Sequence, residues 1–241
     1  MSRDGLMNYL DLVNNVLRRL RETEVTSVQS NAYSKLIGDL VNDAKNLVES
    51  SWDWSMQRKV ISTVLNNPAE GNRFTLVGSG EAPKIQSMFV GWFTEGSVPD
   101  LTKTATSLLT YIDQVSMQEY IRLEQPAVGN PTPTGTPIYY SLFGIDSNRD
   151  TIITLYPSPD PVALLLTSLF KAQADLVNDT DKLEIPVMPV LHLAVAFASR
   201  ERGETGGTST QEYFTMANKY LSDAIALDAA NAPEKTIFYT P

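Results

Sequence analysis

The residues that could carry out acid–base or metal chemistry are one histidine and scattered carboxylates. His192 is the single histidine of the chain, and there is no cysteine. A transition-metal cluster needs several such ligands, and a serine hydrolase elbow of the GxSxG type is absent. The phosphate-binding patterns GxxxxGK[ST] and GxGxxG are also absent. Because His192 lies one turn into a strongly apolar helical segment, we interpret it as a structural residue at a helix interface.

A cluster of acidic residues occurs in the stretch ADLVNDTDKLE, at Asp175, Asp179 and Asp181. Its spacing fits neither an EF-hand loop, which needs glycine at the sixth position, nor one face of a helix. A glycoside hydrolase needs only two carboxylates, so a wall-lytic carboxylate hydrolase remains an alternative. No pair is singled out by its spacing. The sequence therefore predicts no catalytic residue, no metal site, no cofactor and no enzymatic activity.

Two of the three tryptophans, Trp52 and Trp54, lie one residue apart in SSWDWSMQRK. In an extended segment both rings would lie on one side of the chain, with Asp53 on the other. An exposed pair could stack on sugar rings, so a glycan- or cell-wall-binding module using Trp52, Trp54 or Trp92 is a second hypothesis. The pair lies where a helical stripe changes to strand alternation. This position favours packing at the junction between two structural layers.

Composition is that of a soluble globular protein, with 241 residues, 42% hydrophobic and 20% charged. The net charge is −9, and the acidity is uneven. Residues 1–60 carry 8 basic and 8 acidic residues, so residues 61–241 carry 19 − 8 = 11 basic and 28 − 8 = 20 acidic residues. Lysine and arginine supply most DNA affinity, so a DNA-grasping domain is not indicated. The sequence shows neither a signal peptide at its start nor a membrane-spanning apolar run.

Amphipathic helices are predicted near both ends of the chain. The first has the apolar stripe Leu6, Tyr9, Leu10, Val13, Val16, Leu17 and Leu20. The second, capped by Ser30 or Asn31, has Leu36, Ile37, Leu40, Val41, Ala44, Leu47 and Val48 on one face. Helix returns after Glu184, with Pro186 and Pro189 at its start, and a last helix carries Tyr213, Phe214, Ala217, Tyr220, Leu221, Ala224, Ile225 and Leu227.

The middle of the chain has the composition of short strands. RKVISTV, RFTLVG, KIQSMFVGWF, TPIYYSLFG, DTIITLYP and ALLLTSLFKAQ are rich in β-branched and aromatic residues and are separated by turn signals. One short helix, VSMQEYIRLEQ, interrupts them. The predicted fold class is α+β: a helical bundle formed by the N- and C-terminal helix pairs, with an inserted antiparallel β-sheet or sandwich. We expect the bundle at 1–56 and 173–228, the β-rich domain at 57–172 and an extended tail at 229–241.

The ordered set of motifs resembles the head-to-tail adaptor (connector, or tail-tubular gatekeeper) proteins of tailed bacteriophages. The first part of the resemblance is a helix with Ala44, Leu47 and Val48, then the W-x-W of Trp52 and Trp54, then the basic strand MQRKVIST. The second part is PIYYSL, ITLYPSPDP, LTSLFKAQ and DTDKLEIP, leading into VLHLAVAFASRERGE. The similarity covers most of residues 6–228 in order.

The resemblance implies a structural virion protein that forms a ring, commonly a dodecamer, between the portal and the tail or nozzle. Such a ring extends the channel through which DNA passes during ejection without specific binding. The implied partners are the portal protein, the tail or nozzle protein and further copies of the chain, with no membrane. The implied location is the neck or tail of the virion, after assembly in the host cytoplasm. Ile237, Phe238 and Tyr239 are the candidates for portal binding, because an apolar tail too small to fold alone fits a segment that orders on a partner.

Overall fold

A computed structural model describes residues 7–65, 72–80, 83–92, 109–125, 133–159, 163–203 and 208–231. The chain divides into two compact units. One comprises Met1–Gln57 with Gln173–Pro241, and the other comprises Arg58–Ala172. Helices dominate the first unit and strands the second, so the predicted α+β fold class is confirmed.

The described residues form five α-helices and eight strands. The helices α1 to α5 span Tyr9–Arg19, Ala32–Ser50, Met117–Glu124, Val187–Glu201 and Thr208–Asn231. The strands β1 to β8 span Arg58–Leu65, Arg73–Thr75, Lys84–Trp92, Thr110–Tyr111, Asp113–Gln114, Tyr139–Ile145, Thr151–Tyr156 and Ala163–Phe170. Short 3-10 turns at Val28–Ser30 and Ser55–Gln57 precede α2 and β1.

Helix starts follow from the capping residues in the sequence. The Asn8 side chain accepts a hydrogen bond from the Asp11 N–H, 2.7 Å away, at the start of α1. At the start of α2, the Asn31 side chain accepts a hydrogen bond from the Ser34 N–H. The Ser34 hydroxyl oxygen in turn accepts one from the Asn31 N–H, which completes a capping box. Asn31 is thus the cap of α2. Pro186 immediately precedes α4 and tolerates this position because a first-turn N–H has no intrahelical partner.

The core of the helical unit is built around α4. This helix packs against α1, α2 and α5, and most of its side chains are buried. The buried apolar residues of α1 and α2 that meet this core are Tyr9, Leu12, Val13, Val16, Leu17, Ile37, Leu40, Val41, Ala44 and Val48. Two members of the predicted buried face of α2 are not buried: Leu36 is 40% exposed and Leu47 is 50% exposed. Both leucines lie on the same side of α2 as the exposed Asp39 and Asp43, outside the face that packs on the core.

The last helix is longer than the sequence predicts. The tail was expected from residue 229, whereas α5 continues to Asn231. Ala229 and Ala230 are strong helix formers, and the restriction that Pro233 imposes acts on the residue directly before it. The remaining tail residues lie outside the described residues.

The β unit contains two four-stranded sheets, ordered β1-β8-β3-β4 and β2-β7-β6-β5. Their pairs are antiparallel except β5 with β6, which is parallel. Apolar residues from both sheets share one core, among them Met88, Leu155 and Leu165. The two-residue strands β4 and β5 were not predicted, because the period-2 pattern needs about four residues to be detected. Among the described residues, no helix combines the length and apolarity needed to cross a membrane.

Candidate functional site

The two tryptophans of the W-x-W motif have different environments. Trp54 is 1% exposed, belongs to the core of the helical unit, and donates its indole N–H to the Val48 carbonyl at 3.1 Å. Trp52 is 37% exposed. The expectation that both rings share one side applies to an extended segment, and here the chain turns after α2 and enters a 3-10 turn at Ser55. The motif therefore offers no exposed pair of rings for stacking on sugars.

Trp52 instead holds the end of α5. Its indole N–H donates to Asp228 Oδ2 at 2.9 Å, and the Ser55 N–H donates to the same oxygen at 3.1 Å. The Ser55 hydroxyl donates to the other carboxylate oxygen of Asp228. We call Trp52, Ser55 and Asp228 the α5 anchor. It fixes the last turn of the helix from which the C-terminal segment continues.

A buried polar network joins the two points where the chain leaves and re-enters the helical unit. The Lys45 side chain is fully buried and donates from Nζ to the carbonyls of Gln173, at 2.7 Å, and Ala174, at 3.2 Å. Glu49 lies 3.6 Å from Lys45 Nζ. Glu49 also accepts hydrogen bonds from the Gln57 side chain and from the Gln173 N–H. Gln57 and Gln173 are the boundary residues of the helical unit.

The sequence pattern does not indicate this network. Lysine and glutamate on a helix are ordinarily solvated, so neither residue stands out by type. The available signal is positional: Lys45 lies directly after Ala44 on the apolar face of α2, one turn before Glu49.

His192 is a structural residue, as its position predicted. It is buried and stacks on the Tyr220 ring with centroids 4.8 Å apart. Its Nε2 atom lies 3.0 Å from Arg19 Nη1. Burial, and secondly the Arg19 charge, lower the pKa of His192, since both disfavour the imidazolium. It thus joins α1, α4 and α5.

The acidic residues of the 175–181 stretch support the local fold. Asp181 accepts hydrogen bonds from the N–H groups of Val177 and Asn178, both at 2.8 Å, and these donors lower its pKa. Asp179 accepts from the Val28 N–H at 3.0 Å, and Asp175 lies 3.7 Å from Lys45 Nζ. Within the described ranges, no group of three or more histidine, cysteine or acidic residues could hold a metal ion.

The remaining candidates from the sequence lie outside what the structure describes. These are Ile237, Phe238 and Tyr239 in the C-terminal segment, and the side chain of Trp92. The portal-binding assignment of the three tail residues stays a prediction.

The histidine, the acidic stretch and the tryptophan motif thus serve the fold, which is the pattern of a structural protein. The sequence model of the family described as SU10 adaptor protein matches residues 7–236, and the chain belongs to this family. No curated protein matches the chain. The protein is accordingly a structural adaptor of a bacteriophage, located in the virion and associated with other virion proteins. The family implies a non-enzymatic role.

Proposed function

We propose that the protein is a head-to-tail connector that forms a closed ring of about twelve copies between the portal and the tail or nozzle. The observation that carries this proposal is the family match over residues 7–236, which spans the helical unit and the inserted β unit together. The ring is assembled in the host cytoplasm. Its partners are the portal protein, the tail or nozzle protein and its own copies.

The charge of the chain suits a channel through which DNA must pass freely. The net charge is −9, and residues beyond 60 carry 20 acidic against 11 basic side chains. Basic walls would bind phosphates and release counterions, holding the DNA in place. An acidic or neutral wall instead allows DNA to pass during ejection.

The α5 anchor supports a role for the C-terminal segment in portal binding. Asp228 ties the last turn of α5 to Trp52 and Ser55, so the segment starts from a fixed point at Asn231. Residues 232–241 reach at most about 35 Å from that point. Ile237, Phe238 and Tyr239 are the apolar residues we propose to bind the portal.

A deletion tests this assignment. Removal of residues 232–241 should abolish binding to the portal ring and leave the thermal transition nearly unchanged, because the segment lies beyond the anchored helix. A triple serine variant at Ile237, Phe238 and Tyr239 keeps the chain length and should behave like the deletion. Portal binding retained by both variants, measured by size-exclusion chromatography, overturns the assignment.

A further inference from the structure

The two outer helices of the helical unit present exposed stripes of the same length. On α2, the stripe runs through Leu36, Asp39, Asp43 and Leu47, all exposed. On α5 it runs through Met216, Lys219, Asp223 and Leu227, which are also exposed. The end residues are 47 − 36 = 11 and 227 − 216 = 11 positions apart. Both stripes therefore extend about 16 Å along their helix and begin and end with an apolar residue.

The apolar ends of both stripes are large side chains exposed to solvent. Leu36 and Leu47 are 40% and 50% exposed, and Met216 and Leu227 are 41% and 68% exposed. Single exposed apolar residues are common on protein surfaces. Here they recur at three-turn spacing on two helices whose other faces are already packed on the core. Each stripe has the spacing of a helix-packing ridge.

The two stripes lie on two different helices of the helical unit. Helices α2 and α5 both pack against α4, which is buried along most of its length. A heterologous contact, in which one stripe of a copy meets the other stripe of the next copy, generates a ring when the rotation between copies closes.

Helices α2 and α5 run in the same direction. The start of α2 lies near the end of α4, since Tyr33 and Ser34 line one cleft with Arg202. The end of α2 lies near the end of α5, since Trp52 and Ser55 bind Asp228. In a ring of about twelve copies, neighbours are rotated by only about 30°, so α2 of one copy remains nearly parallel to α5 of the next.

Parallel docking brings one pair of opposite charges together. With the apolar ends aligned, Leu36 meets Met216, Leu47 meets Leu227, and Asp39 meets Lys219. Among the residues that the structure describes, neither Asp39 nor Lys219 lies within 4.0 Å of an oppositely charged group of its own copy. The same alignment places Asp43 opposite Asp223, the one unfavourable pair of the four.

From these observations we propose that the α2 stripe of one copy docks in parallel on the α5 stripe of the next copy, forming the subunit contact of the ring. This inference rests on the proposed function, because it names the surface through which the copies of the connector assemble. The occupant of each stripe is a second copy of this chain.

The absence of cysteine from the sequence allows a direct cross-linking test. Leu36→Cys and Met216→Cys chains of distinguishable mass are mixed with the portal ring and oxidised. The proposal predicts disulfide-linked dimers that contain one chain of each kind. The double variant should give a ladder of multimers, whereas each single variant alone should stay monomeric on a non-reducing gel.

Charge exchange tests the same contact independently. Lys219→Glu should raise the dissociation constant between copies about fivefold, and adding Asp39→Lys should restore it. Asp223→Lys should tighten assembly, because it places a cation opposite Asp43. Lys182→Glu makes the same charge change at an exposed residue that belongs to neither stripe and should have no such effect.

The outcomes separate this proposal from the proposed function. The α2–α5 contact is overturned if rings form on the portal without mixed disulfides. It is also overturned if one single variant alone forms cross-links equally well. Both outcomes leave the connector function standing. Failure of the unmodified chain to assemble on the portal contradicts the connector function and this contact together.

Discussion

The indole N–H of Trp52 donates a hydrogen bond to the carboxylate of Asp228 across 176 positions of sequence, at 2.9 Å. This contact ties the segment directly after α2 to the last turn of α5. The Ser55 N–H and hydroxyl bind the same carboxylate. The C-terminal segment therefore continues from a helix end that is held in place by three donors.

Replacing Asp228 by alanine should loosen the last turn of α5. Hydrogen bonds to a charged group contribute more than neutral ones, but this site is partly exposed, so we expect a loss of about 1 kcal/mol in the free energy of unfolding. Amide hydrogen exchange should accelerate in the last turn of α5. Asp223→Ala, an exposed carboxylate on the same helix, is the matched control, and equal exchange in both variants would contradict the anchor.

The two tryptophans should differ strongly in their contribution to stability. Trp54→Ala removes a fully buried ring and should cost about 3–5 kcal/mol, measured by urea unfolding. Trp52→Ala should cost about 1 kcal/mol, because its ring is partly exposed and mainly supplies one hydrogen bond. Similar losses for the two variants would show that the assigned environments are wrong.

Oligosaccharides should leave the fluorescence of Trp52 and Trp54 unchanged. Trp54 is enclosed in the core and Trp52 is engaged with Asp228. A saturable shift in emission on addition of cell-wall fragments would revive the glycan-binding alternative.

Lys45→Ala should destabilise the helical unit severely. The buried lysine compensates Glu49 and binds two backbone carbonyls, so its loss leaves buried acceptors without their donor, at a cost of about 3–5 kcal/mol. Lys35→Ala, an exposed lysine on the same helix, should change the free energy of unfolding by less than about 0.5 kcal/mol. Comparable values for the two variants would exclude a structural role for the network.

His192 should make stability depend on pH in mildly acidic solution. Its pKa in the folded protein is lowered below the ordinary value of 6.5, so the unfolded chain binds more protons over the interval between the two values. The free energy of unfolding therefore decreases as the pH falls through and below 6.5. His192→Gln should flatten this dependence.

The carboxyls of Asp150 and Asp181 do not interfere with this measurement. Backbone N–H donors hold their pKa values below 3.8, so both remain ionised in the window where His192 titrates. Their own contribution to stability is lost only at lower pH. A His192→Gln variant with an unchanged slope near pH 6 would contradict the assignment.

Local patterns were sufficient to predict most of the helices and longer strands. The cap at Asn31, the helix start after Pro186 and the structural role of His192 follow from residue type and periodicity. Other features depend on tertiary contacts that periodicity does not encode. The burial of Lys45, the separation of Trp52 from Trp54 and the exposure of Leu36 and Leu47 all depend on which helix packs beside them.

As a head-to-tail connector, the chain is proposed to form a ring on the portal. The most direct measurement is native mass spectrometry of the full chain mixed with the portal ring of its own phage. We expect complexes with about twelve copies of the chain bound to each portal ring. A chain that remains a compact monomer beside an unoccupied portal ring would contradict the connector function.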